Sequence, residues 1–393
     1  MKYLFSFLVL FVFIGQENSS AQTTHNAINK TYRVAVFAPL YLDSTFDGSK
    51  LKSETSIPNF TVAGLDFIQG AQIAFDTLNL KDKHVEGFIY DSKSAVEPIS
   101  SLIKNGRLND IDLIIGSVKE PEYSALARFA FQRKIPFVSA TYPNDGYVRQ
   151  NPYLVIVNST LKAHCEAIYS YLLQKHGSDN IYLVKKKNDN RIDNYFREIN
   201  YEDGKPLLKI QSIMLDSSIT STQLEYLVDT TKPVVIIGAS LDPVFSRKLA
   251  DACYPVQKTN PFVFIGMPNW DGFSAWYQKG AYTDFPIHYT SPHFDVKSSA
   301  FGNFLGDKYF DLYRTQPSDM AEKGFETTYY FTTALLNHPA DFMQHIQDTT
   351  DAVFHNFNFR PVYHNKLSAM PDYYENKHLF FMQILNGNIS REW

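Results

Sequence analysis

Short apolar runs rich in β-branched and aromatic residues recur along most of the chain, each followed by a segment whose apolar positions return at helical spacing. RVAVFAPL (33–40) reads as a buried strand and leads into a long polar loop. In GLDFIQGAQIAFDTLN (64–79), Ile68, Ala71, Phe75 and Leu78 share one helical face. The strand EGFIYDSK (86–93), a helix near 95–105, the strand DLIIGS (112–117), a helix over Glu122–Arg133 and the strand IPFVSAT (135–141) follow. After NPYLVIVNST (151–160) the pattern restarts. Helices over 161–176, 190–199, 220–229 and Pro243–Cys253 then alternate with the strands NIYLVKK (180–186), KIQSIML (209–215), PVVIIGAS (233–240) and PFVFIGM (261–267). FPIHYTS (285–291), two helices across 297–336 and a final strand in HLFFMQILNG (378–387) complete the reading. Strands joined by helices predict parallel sheets with right-handed crossovers, so the expected class is α/β.

In an open parallel sheet, ligands bind beyond the carboxyl ends of the strands, where loops expose N–H groups and helix N-termini. Small polar residues fall at those ends. Ser117, Ser139 and Thr141 each offer one short hydrogen bond, and Lys119 and Tyr142 stand beside them. Ser240 and the loop Pro268-Asn269-Trp270 hold the equivalent places in the second unit, and Tyr41 follows the first strand. The candidate ligand-binding set is therefore Tyr41, Ser117, Lys119, Ser139, Thr141, Tyr142, Ser240, Asn269 and Trp270. Each has a competing structural role. Ser240 or Asp242 suits the N-cap of the helix that follows, Lys119 suits a solvated loop, and Tyr41 and Trp270 suit a core as well as a stacking platform.

Composition narrows the class. With 393 residues and 44% hydrophobic residues the chain can fill two cores. Lys plus Arg (37) and Asp plus Glu (41) nearly cancel, and no basic block occurs, which excludes nucleic acid as a partner. At the N-terminus, Lys2, the apolar run from Tyr3 to Ile14 and the small residues Ser19-Ser20-Ala21 predict a secretory signal peptide over 1–21, followed by a linker over 22–30. The mature chain is expected in the periplasm. Cys165 is the first of only two cysteines, so no lipid anchor on an N-terminal cysteine is expected, and Cys165 and Cys253 read as buried apolar residues rather than a disulfide.

Catalytic signatures are missing from the sequence: it has no G-x-S-x-G elbow, no H-E-x-x-H, no P-loop, and no G-x-G-x-x-G after the first strand. The 11 histidines are scattered, with His355 and His364 flanking a loop, and no cysteine or histidine spacing suits a metal. No enzyme activity, cofactor or metal is expected.

The order of RVAVFAPLYLD, GLDFIQGAQIAFDTLN, DLIIGS with KIPFVSAT, NPYLVIVNST, PVVIIGAS, FVFIGMPNW and PSDMAEKGFETTYYFTTALL resembles the type 1 periplasmic binding proteins, across nearly all of residues 31–393. That group includes the branched-chain amino-acid-binding proteins of ABC transporters. The resemblance extends to a branch, from Bacteroidetes-like bacteria, that is often linked to LysM modules. It implies two Rossmann-like lobes with parallel sheets joined by a three-crossover hinge, closing on a ligand like a clamp. Lobe I is then 31–155 plus 285–336, and lobe II 156–284 plus 337–393. By position, Ser117, Ser139 and Thr141 match the loops that hold the carboxylate and ammonium groups in amino-acid-binding members. One departure stands out: where those members carry Gly-Pro followed by small hydroxyl residues, this chain reads Gly116-Ser117-Val118-Lys119-Glu120-Pro121. The expected function is binding of a small polar solute and its delivery to an inner-membrane ABC permease. The alternative is a non-transporting module of the same fold that binds a cell-envelope protein.

Overall fold

The computed structural model describes residues 30–53, 56–79, 84–201, 204–294, 299–348 and 352–393. The signal-peptide reading of 1–21 and all but the last residue of the linker lie outside them. Among the described residues no helix is long and apolar enough to cross a membrane.

From the N-terminus the chain forms β1 (Tyr32–Ala38), the single turn α1 (Leu42–Thr45), a small hairpin of β2 (Phe46–Asp47) and β3 (Lys50–Leu51), α2 (Asn59–Asn79), β4 (Val85–Asp91), α3 (Ile99–Lys104), β5 (Leu113–Gly116), α4 (Glu122–Arg133), β6 (Phe137–Ser139) and β7 (Leu154–Ile156). A second series follows: α5 (Leu161–Lys175), β8 (Asn180–Lys186), α6 (Arg191–Asn200), β9 (Ile210–Leu215), α7 (Ser221–Leu227), β10 (Val234–Gly238), α8 (Pro243–Thr259), β11 (Phe262–Ile265) and β12 (Ile287–Ser291). Two 3-10 turns, Pro268–Gly272 and Ser274–Tyr277, lie between β11 and β12. The chain ends with α9 (Ala300–Tyr313), α10 (Asp319–Asn337), the short α11 (Phe342–His345), β13 (Phe359–Val362), β14 (Tyr373–Asn376), β15 (Phe380–Leu385) and β16 (Asn388–Arg391).

Two seven-stranded sheets result, ordered β13-β14-β7-β6-β5-β1-β4 and β16-β15-β12-β11-β10-β8-β9. Both are parallel except where the late hairpins join: β13 runs antiparallel to β14, and β15 antiparallel to β12 and β16. The central strands are buried on both faces, which is why they read as unbroken Val/Ile/Leu runs. The expected α/β class with two Rossmann-like sheets is thus what the chain forms, and it passes between the sheets three times, after β7, β12 and β14.

The allocation of the late segments needs correction. The resemblance implies that FPIHYTS, within 285–336, belongs to the first lobe, but its strand β12 lies in the second sheet, paired with β11 and β15. Residues 359–376, assigned to the second lobe, form β13 and β14, and β14 pairs with β7 of the first sheet. Only β15 and β16 of the tail return to the second sheet. The reason is that strand membership depends on which edge is left unpaired, and local pattern carries no record of that.

Helices α9 and α10 do belong with the first sheet. A Cβ built on Gly70 of α2 would sit 1.9 Å from the Ala321 carbonyl oxygen, and one on Gly324 of α10 would sit 2.0 Å from that of Phe67. The two helices therefore meet backbone to backbone, which only glycine allows. The two cysteines are buried and unpaired, as expected. Helix α8 begins where expected but runs on to Thr259, through Pro255.

Candidate functional site

The three passages between the sheets are tied to one another. Ser159, after β7, donates its hydroxyl to the Asn376 carbonyl (2.6 Å), and the Thr160 N–H donates to Glu375 Oε1 (2.7 Å). Lys377 bridges Glu375 (2.6 Å) and Glu166 of α5 (2.8 Å), so the first and third passages share one partly buried network. The second joins through His164 of α5, whose Nδ1 meets Thr290 Oγ1 at 2.8 Å. Burial pushes His164 down to about 3, which leaves its ring neutral.

A cavity of about 320 Å³ opens beside this network. Asn144 and Asn158, on loops of the first sheet, line one wall; Asn269, Asp271 and His293, from loops of the second, line another. Arg191, at the start of α6, and Lys323 of α10 add two cations to the lining, one from each of the two units. Among the described residues neither cation has a hydrogen-bond or ion-pair partner for its side chain. Asp271 is exposed, yet partial loss of water around its carboxyl pushes it above the usual range. The buried Oδ1 of Asn269 has no partner, while its Nδ2 donates to the Leu241 carbonyl (3.0 Å). A second cavity of about 440 Å³ shares Asp271, Ser291, His293 and Lys323 and extends to Asp319, Glu326 and His355.

Of the nine residues expected from sequence, Asn269 lines the first cavity. Ser117 and Thr141 are brought together, but onto each other, at 3.0 Å between hydroxyl oxygens. Ser139 is fully buried and its hydroxyl has no partner. Tyr142 packs edge-on against Tyr123. Tyr41, in a left-handed conformation (φ 53), rests edge-on against Phe60, and its N–H donates to Asp91, whose carboxylate organises the loop after β1. Lys119 is exposed.

Ser240 and Trp270 require correction. Trp270 is fully buried and donates its Nε1–H to the Ser240 carbonyl (3.1 Å), packing among Phe264, Phe273 and Trp276, so it has no face to offer a solute. Ser240 is also fully buried, and its hydroxyl accepts from the Asp242 N–H (3.1 Å). Of the two residues that suited the N-cap of α8, it is Asp242 that supplies it. Arg191, Lys323 and His293 were missed. Each is one polar residue on a helix or loop, and only the packing of the two sheets brings them to one place.

Two sheets of this order, joined by three passages with a polar cavity between them, match known structures. The computed model aligns with a putative branched-chain amino acid ABC transporter protein from Rhodospirillum rubrum at TM-score 0.64 and 11% identity, over 92% of this chain and 100% of that one. The chain has the type 1 periplasmic binding protein fold. A branched-chain amino acid ABC transporter periplasmic ligand-binding protein from Burkholderia xenovorans aligns to this fold at TM-score 0.60 and 11% identity, covering 92% of this chain and 95% of that one. A substrate-binding protein from Desulfitobacterium hafniense, solved in complex with Leu, aligns at 0.55 and 14% identity over 92% and 100%. These likenesses stop at the fold and do not reach the LysM-linked branch. No protein-family model and no curated protein matches the sequence.

Proposed function

We propose that this is an exported solute-binding protein of the ABC-transport type, taking up an amino acid or a related small carboxylate between its two sheets in the periplasm and presenting it to an inner-membrane permease. The reading is of a binder, not an enzyme, as it is for the neighbours of this fold. The observation that carries it is the cavity of about 320 Å³, a volume suited to one small molecule, with two unpaired cations, Arg191 and Lys323, in its lining. A carboxylate between Lys323 and Arg191 would complete both, and the free Asn269 Oδ1 would accept from an ammonium or amide. The fold, shared with amino-acid-binding neighbours, supports the same reading by analogy.

A thermal-shift panel of amino acids, short peptides, muropeptides, nucleosides and sugars tests it. A ligand at 100 times its dissociation constant stabilises the native state by roughly 2.7 kcal/mol. The expected result is a clear shift with one carboxylate-bearing class, reduced about tenfold in affinity by Lys323→Gln, since an ionic hydrogen bond is worth about 1.5–3 kcal/mol. A flat panel on folded protein free of copurified ligand would overturn the proposal and turn attention to the envelope-partner alternative.

A further inference from the structure

His293, Glu326 and His355 come from three separate elements, the loop after β12, the middle of α10 and the loop before β13, and one ligand atom from each lies within 4.8 Å of the others. Glu326 is buried to 1% exposure and His355 to 7%, on the wall of the larger cavity. The His293 residue is half-buried, but its Nε2 is fully enclosed and has no hydrogen-bond partner. An enclosed ring nitrogen without a partner is costly unless something outside the protein atoms completes it.

We propose that His293, Glu326 and His355 form a binding site for a borderline divalent transition metal ion of the Zn²⁺ class, with a fourth position open to the cavity. Two imidazoles and one carboxylate are a donor set that suits Zn²⁺ and disfavours Mg²⁺ and Ca²⁺, which take oxygen ligands. The spacing is close to what an ion needs. Glu326 already lies 3.0 Å from His355 Nδ1, whereas ligand atoms on a tetrahedral zinc at bond lengths near 2.0–2.2 Å stand roughly 3.3 Å apart. The remaining contraction, from at most 4.8 Å, is a small movement of the half-exposed His293. Outer contacts are also in place. His355 Nε2 sits between the Phe294 carbonyl oxygen (3.1 Å) and the Phe294 N–H (3.0 Å), and the His355 N–H donates to Glu326 Oε1 (2.8 Å), so the ring and the carboxylate are both oriented by backbone. When the ion binds through Nδ1, that nitrogen gives up the proton it shares with Glu326, and the neutral ring keeps one proton on Nε2, which donates to the Phe294 carbonyl oxygen. Lys323 and Glu322 line the same cavity, so a solute carboxylate reaching past Lys323 would find the open position.

The sequence holds no sign of this site, because its three residues are separated by 33 and 29 positions. The site does not depend on the solute reading, and its test uses no solute. The full mature chain, stripped with a chelator and dialysed, is titrated with ZnCl₂ by calorimetry and with CoCl₂ by visible absorption, with MgCl₂ and CaCl₂ as controls. The expected result is one saturable Zn²⁺ equivalent and a tetrahedral-type Co²⁺ band, both weakened by about tenfold or more in His293→Gln and in Glu326→Gln, with no response to the controls. Should Glu326→Gln fail to fold, His293→Gln, on a half-exposed residue, decides alone. Absence of saturable binding overturns the proposal. So does binding that survives His293→Gln and disappears in His345→Gln, which would place the ion at the surface group of His338, His345 and Asp348 instead.

Discussion

The hydroxyls of Ser117 and Thr141 lie 3.0 Å apart, so the two loops that end β5 and β6 are bonded to each other across the strand ends. One hydroxyl donates to the other, so each spends a hydrogen-bonding position on its neighbour rather than on a solute. Ser117→Ala and Thr141→Ala are therefore expected to lower stability by about 0.5–1.5 kcal/mol each, the usual worth of such a bond. Solute affinity, measured by calorimetry on the folded variants, is expected to change by less than about twofold. A loss of tenfold or more would return these residues to direct ligand contact.

Gly324 of α10 faces the backbone of α2 with no room for a methyl group, since its Cβ would stand 2.0 Å from the Phe67 carbonyl oxygen. A backbone atom cannot rotate away as a side chain can. Gly324→Ala is expected to force the helices apart and destabilise the protein by about 3 kcal/mol, the upper part of the overpacking range. Chemical denaturation of the variant against wild type measures it, and a change below about 1 kcal/mol would show that α10 can shift freely.

His164 links the acid response to the site. Its folded pKa is pushed down to about 3 by burial, against about 6.5 when unfolded, so below pH 6.5 the unfolded chain takes the proton first. Its contribution to stability is complete above about pH 6.5 and falls as pH drops towards 3, by up to about 1.4 kcal/mol per pH unit. The expected outcome is that His164→Asn, which keeps a polar atom near Thr290, flattens this slope between pH 6.5 and 4 relative to wild type. Parallel curves for the two proteins would exclude His164 as the group responsible.

Lys377 carries the joint between the first and third passages. Glu375 is buried to 1% side-chain exposure, and Lys377 at 2.6 Å is the charge that compensates it. Lys377→Met leaves that carboxylate without its cation and is expected to destabilise by about 2–4 kcal/mol. Lys162→Met, which removes the exposed pair with Glu198, is the comparison, with an expected effect below about 1 kcal/mol. Equal effects from the two variants, read from urea midpoints, would show that the joint is open to water.

Much of the fold was legible from sequence because a strand buried on both faces, such as LIIG at 113–116 or VVIIG at 234–238, has to be apolar throughout, and an amphipathic helix has to repeat its apolar positions every three or four residues. Those rules act on neighbouring residues. They gave the alternation, the two α/β units and Asn269 at a strand end.

What the sequence determined by itself is thus the α/β class, the two sheets and the strand ends where a site could lie. Tertiary structure decided the rest: that β12 completes the second sheet while β13 and β14 complete the first, that Trp270 fills a core, and that Lys323, Arg191 and His293 meet at one cavity. The physical reason is that local pattern records which residues avoid water, a property each segment has alone. Strand pairing, the burial of a polar aromatic and the convergence of charges are properties of segments far apart in the chain, and they exist only once the whole chain has packed.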